Sequence, residues 1–256
     1  YPNTPREVRT HVSSPTATAA PPKPMSRRET LEALSGLLLV LFVSMLSVTI
    51  VSVALPQIVG SLNGTQAQYT WVVTAALLAG TATTPIWGKL ADLFSKKLLI
   101  QIAIALFTIG TLACGLAQNT GQLIGFRVIQ GLGMGALQVL VQVVIGAMIS
   151  PKERGRYNGY LGAIMAVATV GGTLLGGVIA DSSMGWRWCF FVSVPFCVIA
   201  FLLLSKTLHL AERRRPDVHI DYLGATLIAA GVSLLLIWVT FVDDKFAWIS
   251  WQTGAM

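Results

Sequence analysis

The chain has 256 residues, 54% of them hydrophobic and only 11% charged, with a mean hydropathy of +0.69. Soluble domains carry roughly a quarter charged residues, so this composition excludes one. A net charge of +7 and a pI near 9.6 would suit nucleic acid, but the basic residues sit where membrane topology, not nucleic-acid binding, explains them.

Residues 1–30 are read as a disordered cytoplasmic tail. The opening YPNTPREVRTHVSSPTATAAPPKP is rich in Pro, Thr, Ser and Ala and has little to bury. It lacks the apolar stretch of a signal peptide. Seven apolar blocks then follow, at 33–58, 69–87, 98–117, 122–149, 157–180, 189–208 and 222–242. Each is close to the roughly 20 residues a helix needs to cross a hydrocarbon core. Membrane strands would alternate apolar and polar residues, and these blocks are apolar all round. Helices satisfy their own backbone groups in lipid. The expected fold is an all-α polytopic membrane protein.

All Lys and Arg residues except Arg127, Arg187 and Lys245 precede the first block or fall after blocks two, four and six. The positive-inside rule therefore places the N-terminus and those loops in the cytoplasm. Residues 31–210 hold six of these blocks, and 211–256 hold a cytoplasmic linker and the seventh. The chain stops at VDDKFAWISWQTGAM, where an eighth span is expected to begin.

Three stretches carry candidate chemistry. WGKLADLFSKKLL, Trp87 to Leu99, is a charged island between two charge-free runs. It reads as a tight turn, with Gly88 allowing close backbone approach and Lys96 and Lys97 facing anionic headgroups. Asp92 is either a local neutraliser of these lysines or a partner for a helix elsewhere. In block four, Arg127, Gln130, Met134, Gln138 and Gln142 fall within about 120° of one helix face. Such a stripe lines a wet cavity or glues helices together, and a charge at this depth is a functional candidate. In block five, Gly171, Gly172, Gly176 and Gly177 permit close helix packing. Cys114, Cys189 and Cys197 read as small buried hydrophobes. His11, His209 and His219 lie outside the blocks, and no metal or cofactor is expected. Trp71, Trp87, Trp186, Trp188, Trp248 and Trp251 stand at span ends, as interfacial anchors do.

GKLADLFSKKLL resembles the signature turn of the major facilitator superfamily through Gly88, Leu90, Ala91, Asp92, Lys96 and Lys97, with Ser95 replacing a second Gly. The resemblance implies that Asp92 latches two halves of a transporter on the cytoplasmic side. LIGFRVIQGLGMGAL, Leu123 to Leu137, is similar to the superfamily's span-four motif, which implicates Arg127 in proton coupling. GTLLGG, Gly172 to Gly177, resembles the antiporter motif, with Thr173 where Pro is usual. SVTIVSVALPQI, KERGRYNGYLGA, GWRWCFFVSVPF and IDYLGATLIAAG resemble segments of the fourteen-span drug:proton antiporters.

Together these imply the N-terminal half of an exporter: a major-facilitator-type six-helix bundle plus one linker helix, exporting amphipathic compounds in exchange for protons across the plasma membrane. A C-terminal half of the same transporter is the implied partner. The first-span signature departs from that family, with Ser47 at its usual Asp and Ser52 at its usual Asn, flanking Thr49. All eleven acids sit in tails, loops or span ends, so none is available at membrane depth for coupling. Arg127 is accordingly expected to be held by hydroxyls, carbonyls or water, with Thr49 and Ser52 at its depth. Arg127, Gln138 and Gln142 are the expected polar substrate contacts. The rival expectations are a transport-inactive half, a lipid-type exporter with altered coupling, and a channel-like or receptor-like bundle.

Overall fold

The computed structural model describes residues 27–208 and 222–241. These form α1 (Arg27–Ser61), α2 (Gln66–Leu93), α3 (Lys96–Gly115), α4 (Thr120–Met148), α5 (Arg154–Asp181), a short α6 (Trp188–Phe191), α7 (Ser193–Thr207) and α8 (Tyr222–Phe241). The tail beyond Arg27, the 209–221 linker and the stretch from 242 onward lie outside the described residues.

α1 begins inside the segment expected to be disordered. Glu29 occupies its first turn, where an acid suits the helix dipole. One turn on, Arg28 Nε donates to Glu32 Oε1 at 2.8 Å. α2 opens with a capping box between Thr65 and Gln68, and α4 opens on Asn119, whose side chain accepts from Gln122 N at 2.8 Å. Each cap satisfies donors that the first helical turn leaves orphaned. Between α5 and α6 the chain turns at Gly185, whose φ of +79° favours glycine.

Five membrane-crossing stretches are long and apolar enough by composition: α1, α3, α4, α5 and the joined α6–α7 segment. Two of the seven expected blocks fall short. α2 is interrupted by Thr70, Thr74, Thr81, Thr83 and Thr84; Thr83 and Thr84 donate to the Ala79 and Gly80 carbonyls, which keeps their hydroxyls paired. In α8 the apolar described stretch runs only Thr226–Trp238. The sixth block is not one helix but two, meeting at Val192. Pro195 has no N–H to return to residue 191, so the helical ladder is interrupted there.

α4 packs most extensively on α2 and α3, α1 on α5 and α7, and α8 on α2. Their buried apolar side chains form two clusters. One joins Leu37 and Val43 of α1 to Ile104 and Phe107 of α3, Leu140 of α4 and Leu204 of α7. The other joins Ile50 and Ile58 of α1 to Val72 of α2, Leu123 of α4 and Phe190 of α6. Between them lies a layer of buried polar residues: Ser44 and Ser47 on α1, Thr111 on α3, Arg127 and Gln130 on α4, and Ser193 at the start of α7.

Candidate functional site

Arg127 is only 4% exposed. Its Nε donates to the Val72 carbonyl of α2 at 3.0 Å and its Nη1 to Gln130 Oε1 at 2.7 Å. Gln130 in turn donates through Nε2 to Thr111 Oγ1 at 2.9 Å and to Ser47 Oγ at 3.4 Å. Thr111 donates to the Phe107 carbonyl. One amide thus joins α4 to α1 and α3, and one guanidinium joins it to α2. A buried charge so held is fixed in place, because each of its bonds runs to a different anchor.

Glycine makes this closeness possible. A Cβ on Gly131 would strike the Ala76 carbonyl of α2, one on Gly135 the backbone of Gly80, one on Gly133 the backbone of Phe107, and one on Gly110 the backbone of Gln130. The GLGMG run of α4 therefore brings the backbones of α2 and α3 into contact around the polar layer.

The expected α4 stripe divides. Arg127 and Gln130 are buried, Met134 and Gln138 are half-buried and Gln142 is exposed. At about 100° per residue, a face that drifts over the helix turns from the interior at one end to the open side at the other. Arg127 is therefore not an open substrate contact as expected but an interhelical tie; Gln138 and Gln142 keep the accessible positions.

The arginine's support meets the expectation in part: a carbonyl was expected and an amide oxygen was not. A carbonyl and an amide oxygen hold it, and Ser47 reaches it through Gln130. Thr49 and Ser52 do not take part: Thr49 Oγ1 donates to the Leu46 carbonyl at 2.9 Å and lies 3.3 Å from the Ala168 carbonyl of α5. Ser52 Oγ donates to the Val48 carbonyl at 2.8 Å. Thr111 and Val72 were not singled out by sequence. A lone hydroxyl in an apolar block carries no pattern, and a backbone carbonyl carries no residue signal at all.

The charged island also reads differently in three dimensions. Gly88 lies within α2 and not at the turn, and a Cβ there would meet only Val139 at ordinary contact distance. The turn itself is Phe94–Ser95. Asp92 is exposed and forms no ion pair among the described residues. Lys97 does not merely face headgroups: its Nζ donates to the Ser205 carbonyl at 2.5 Å, in the last turn of α7. A cation there suits the helix dipole. At the opposite end of α3, Arg187 Nη1 donates to the Gly115 and Ala117 carbonyls at 2.9 and 3.0 Å. Its guanidinium lies 4.7 Å from the Trp186 ring centroid. These three bonds tie both ends of α3 to the antiparallel α6–α7 segment.

In α5, Gly172 and Gly176 pack on Thr49 and Ile50 of α1, but Gly177, expected to join them, meets nothing. The three cysteines are free and buried.

Buried polar anchors inside a bundle of long apolar helices define a polytopic membrane protein. The sequence model of the Major Facilitator Superfamily matches residues 37–256, and the chain belongs to that family of transporters. It is 42% identical over 222 residues to the efflux pump dotC of Dothistroma septosporum, covering 85% of this chain and 38% of that protein. It is 36% identical over 219 residues to the multidrug transporter protein MdtP of Bacillus subtilis, covering 86% and 40% respectively. The chain thus spans about two fifths of the length of these relatives. Its structure is similar to the human organic anion transporter MFSD10 (TETRAN), with a TM-score of 0.66 at 14% identity over 80% of this chain and 55% of that one. A bacterial homologue of the human lysosomal transporter Spinster gives a TM-score of 0.60 at 21% identity over 77% and 46%. At these identities the likeness is one of fold, and the expected major-facilitator bundle is that fold.

Proposed function

We propose that this chain forms the N-terminal part of a multidrug exporter that moves amphipathic compounds across the plasma membrane by alternating access. Its N-terminus is cytoplasmic by the distribution of basic residues. The observation that carries the reading is the α4 stripe, which is locked into the bundle at Arg127 and Gln130 and emerges toward the open side at Gln138 and Gln142. Relatives that bear the names efflux pump and multidrug transporter support it. Gln138 and Gln142, with Met134 beside them, supply polar and soft apolar contacts to one wall of a midplane cavity. The second wall comes from a C-terminal half of the fourteen-span type. Asp92, without an ion pair among the described residues, latches to that half at the cytoplasmic side, with Gly88, Lys96 and Lys97 around it.

Proton coupling falls to that second half. Among the described residues the acids are Glu29, Glu32, Asp92, Glu153 and Asp181, all at helix ends, and Ser47 cannot titrate. A second reading, a lipid-type exporter with altered coupling, is favoured by this one departure at Ser47.

The test is efflux of a fluorescent amphipathic dye from cells making the natural protein. Gln142→Leu should change which dyes leave, and Arg127→Ala should abolish efflux at unchanged membrane level. Dye retention equal to that of empty cells would instead favour a transport-inactive half.

A further inference from the structure

α5 packs chiefly on α1, through the face that carries Gly172 and Gly176. At about 100° per residue, Arg156, Tyr160, Val167, Leu174 and Val178 share a second face within about 40°, nearly opposite the first, with Val170 at its edge. All six are exposed. The four apolar residues form a ridge along the helix, and the arginine and tyrosine stand at its N-terminal end. Thr169 and Thr173 lie between the two faces and bond back to the Met165 and Thr169 carbonyls.

The arginine and tyrosine are held in place although they are exposed. Tyr157 is half-buried against the first apolar cluster, and Tyr160 lies edge-on to it with ring centroids 5.9 Å apart. Arg156 Nε donates to Tyr160 Oη at 3.1 Å. The phenol therefore accepts from the arginine, and its own proton is left to donate outward. Nη1 and Nη2 of Arg156 meet no acceptor among the described residues. A guanidinium fork beside a phenolic donor suits a phosphate. Of the neighbouring charges, Arg154 donates to the Gly146 carbonyl at 2.8 Å and Glu153 accepts from Ser150 Oγ at 3.1 Å. Lys152 is exposed, so the turn around Glu153 is basic on balance.

We propose that this face of α5 docks an anionic phospholipid of the cytoplasmic leaflet, with its phosphate on Arg156 and Tyr160 and an acyl chain along Val167 and Val170. The lengths agree. From Arg156 to Val170 the helix rises about 21 Å, and one leaflet offers about 6 Å of headgroup layer and about 15 Å of hydrocarbon. A zwitterionic lipid brings the same phosphate but adds a cation, which Lys152 and Arg156 oppose. Another helix is the poorer occupant, because close helix crossings take small residues and this ridge presents Val and Leu. The inference rests on the cytoplasmic placement of the α5 N-terminus and not on which compounds are exported.

The test is native mass spectrometry of the purified natural protein with equimolar phosphatidylglycerol and phosphatidylcholine of the same chains. Phosphatidylglycerol should bind about fivefold more. Arg156→Gln should cut its binding about tenfold and bring the two lipids to parity. Tyr160→Phe keeps the ring and removes the donor, for a loss of about threefold. Val167→Ala with Val170→Ala should lower the binding of both lipids equally, by about threefold. Inorganic phosphate at matched ionic strength should displace neither lipid. Equal binding of the two lipids by the wild type would overturn the proposal, as would displacement by phosphate or a valine pair that binds as the wild type does. Phosphatidylglycerol binding by Arg156→Gln equal to that of the wild type would also overturn it, and is the outcome if a C-terminal half covers this face. The readout is lipid bound, so loss of dye efflux leaves it untouched.

Discussion

α4 and α5 are both glycine-rich and both long enough to span a bilayer, yet they use glycine differently. In α4, Gly131, Gly133 and Gly135 each have a neighbour's backbone inside the space a Cβ would need. In α5, Gly172 and Gly176 meet α1, while Gly155, Gly159, Gly162 and Gly177 meet nothing. Exposure follows the same division: Val167, Val170, Leu174 and Val178 of α5 are all more than 60% exposed, whereas the buried positions of α4 run almost its whole length. A glycine whose Cβ space is filled by another backbone is a packing requirement; one facing open space is only a helix-weakening residue until something covers it.

This contrast can be broken most sharply at Gly131. Gly131→Leu should prevent the α2–α4 crossing, and a correctly folded bundle should disappear from size-exclusion profiles. Gly131→Ala gains about 1 kcal/mol of helix propensity but loses more by overpacking, for a net destabilisation of about 1–2 kcal/mol. A Tm fall of about 3–8 °C would register it.

Arg127→Lys sharpens the functional side of the comparison. Lysine cannot reach the Val72 carbonyl and the Gln130 amide as a planar fork does, so dye efflux should be lost as in Arg127→Ala, with membrane insertion intact. Thr111→Val should destabilise the bundle by about 1–2 kcal/mol, leaving Gln130 Nε2 only its long bond to Ser47. Thr111→Ser should restore most of that in the same thermal assay. Lys97→Ala should cost about 0.5–1 kcal/mol through loss of the α7 cap, and Lys96→Ala less. Smallest of all, Gly159→Ala should leave Tm unchanged or raise it by a few degrees, because helix propensity improves and nothing is struck. A large fall there would show that the open face of α5 is covered.

Much of the candidate site was legible before any coordinates. Arg127 announced itself because a charge inside an apolar run is expensive, and its i, i+3 spacing to Gln130 placed the two one above the other. Ser47 stood out by departing from a resembled motif. Thr111, the Val72 carbonyl and the Lys97–Ser205 bond were not legible, since each depends on which helix lies opposite, and local periodicity is silent about that. Which of the α5 glycines meet α1 was not legible for the same reason: Gly177 carries the same local signal as Gly176, and one residue of helix rotation turns it away from α1.

The sequence by itself determined that this is a helical membrane protein, roughly where its helices run and which end carries the basic residues. Burial of apolar blocks in lipid and the backbone's need for internal hydrogen bonds leave little choice on these points. Only the tertiary structure decided which glycines are crossings, which polar residues are ties and which remain accessible. Those properties belong to pairs of helices, and they appear only once close packing has chosen the partners.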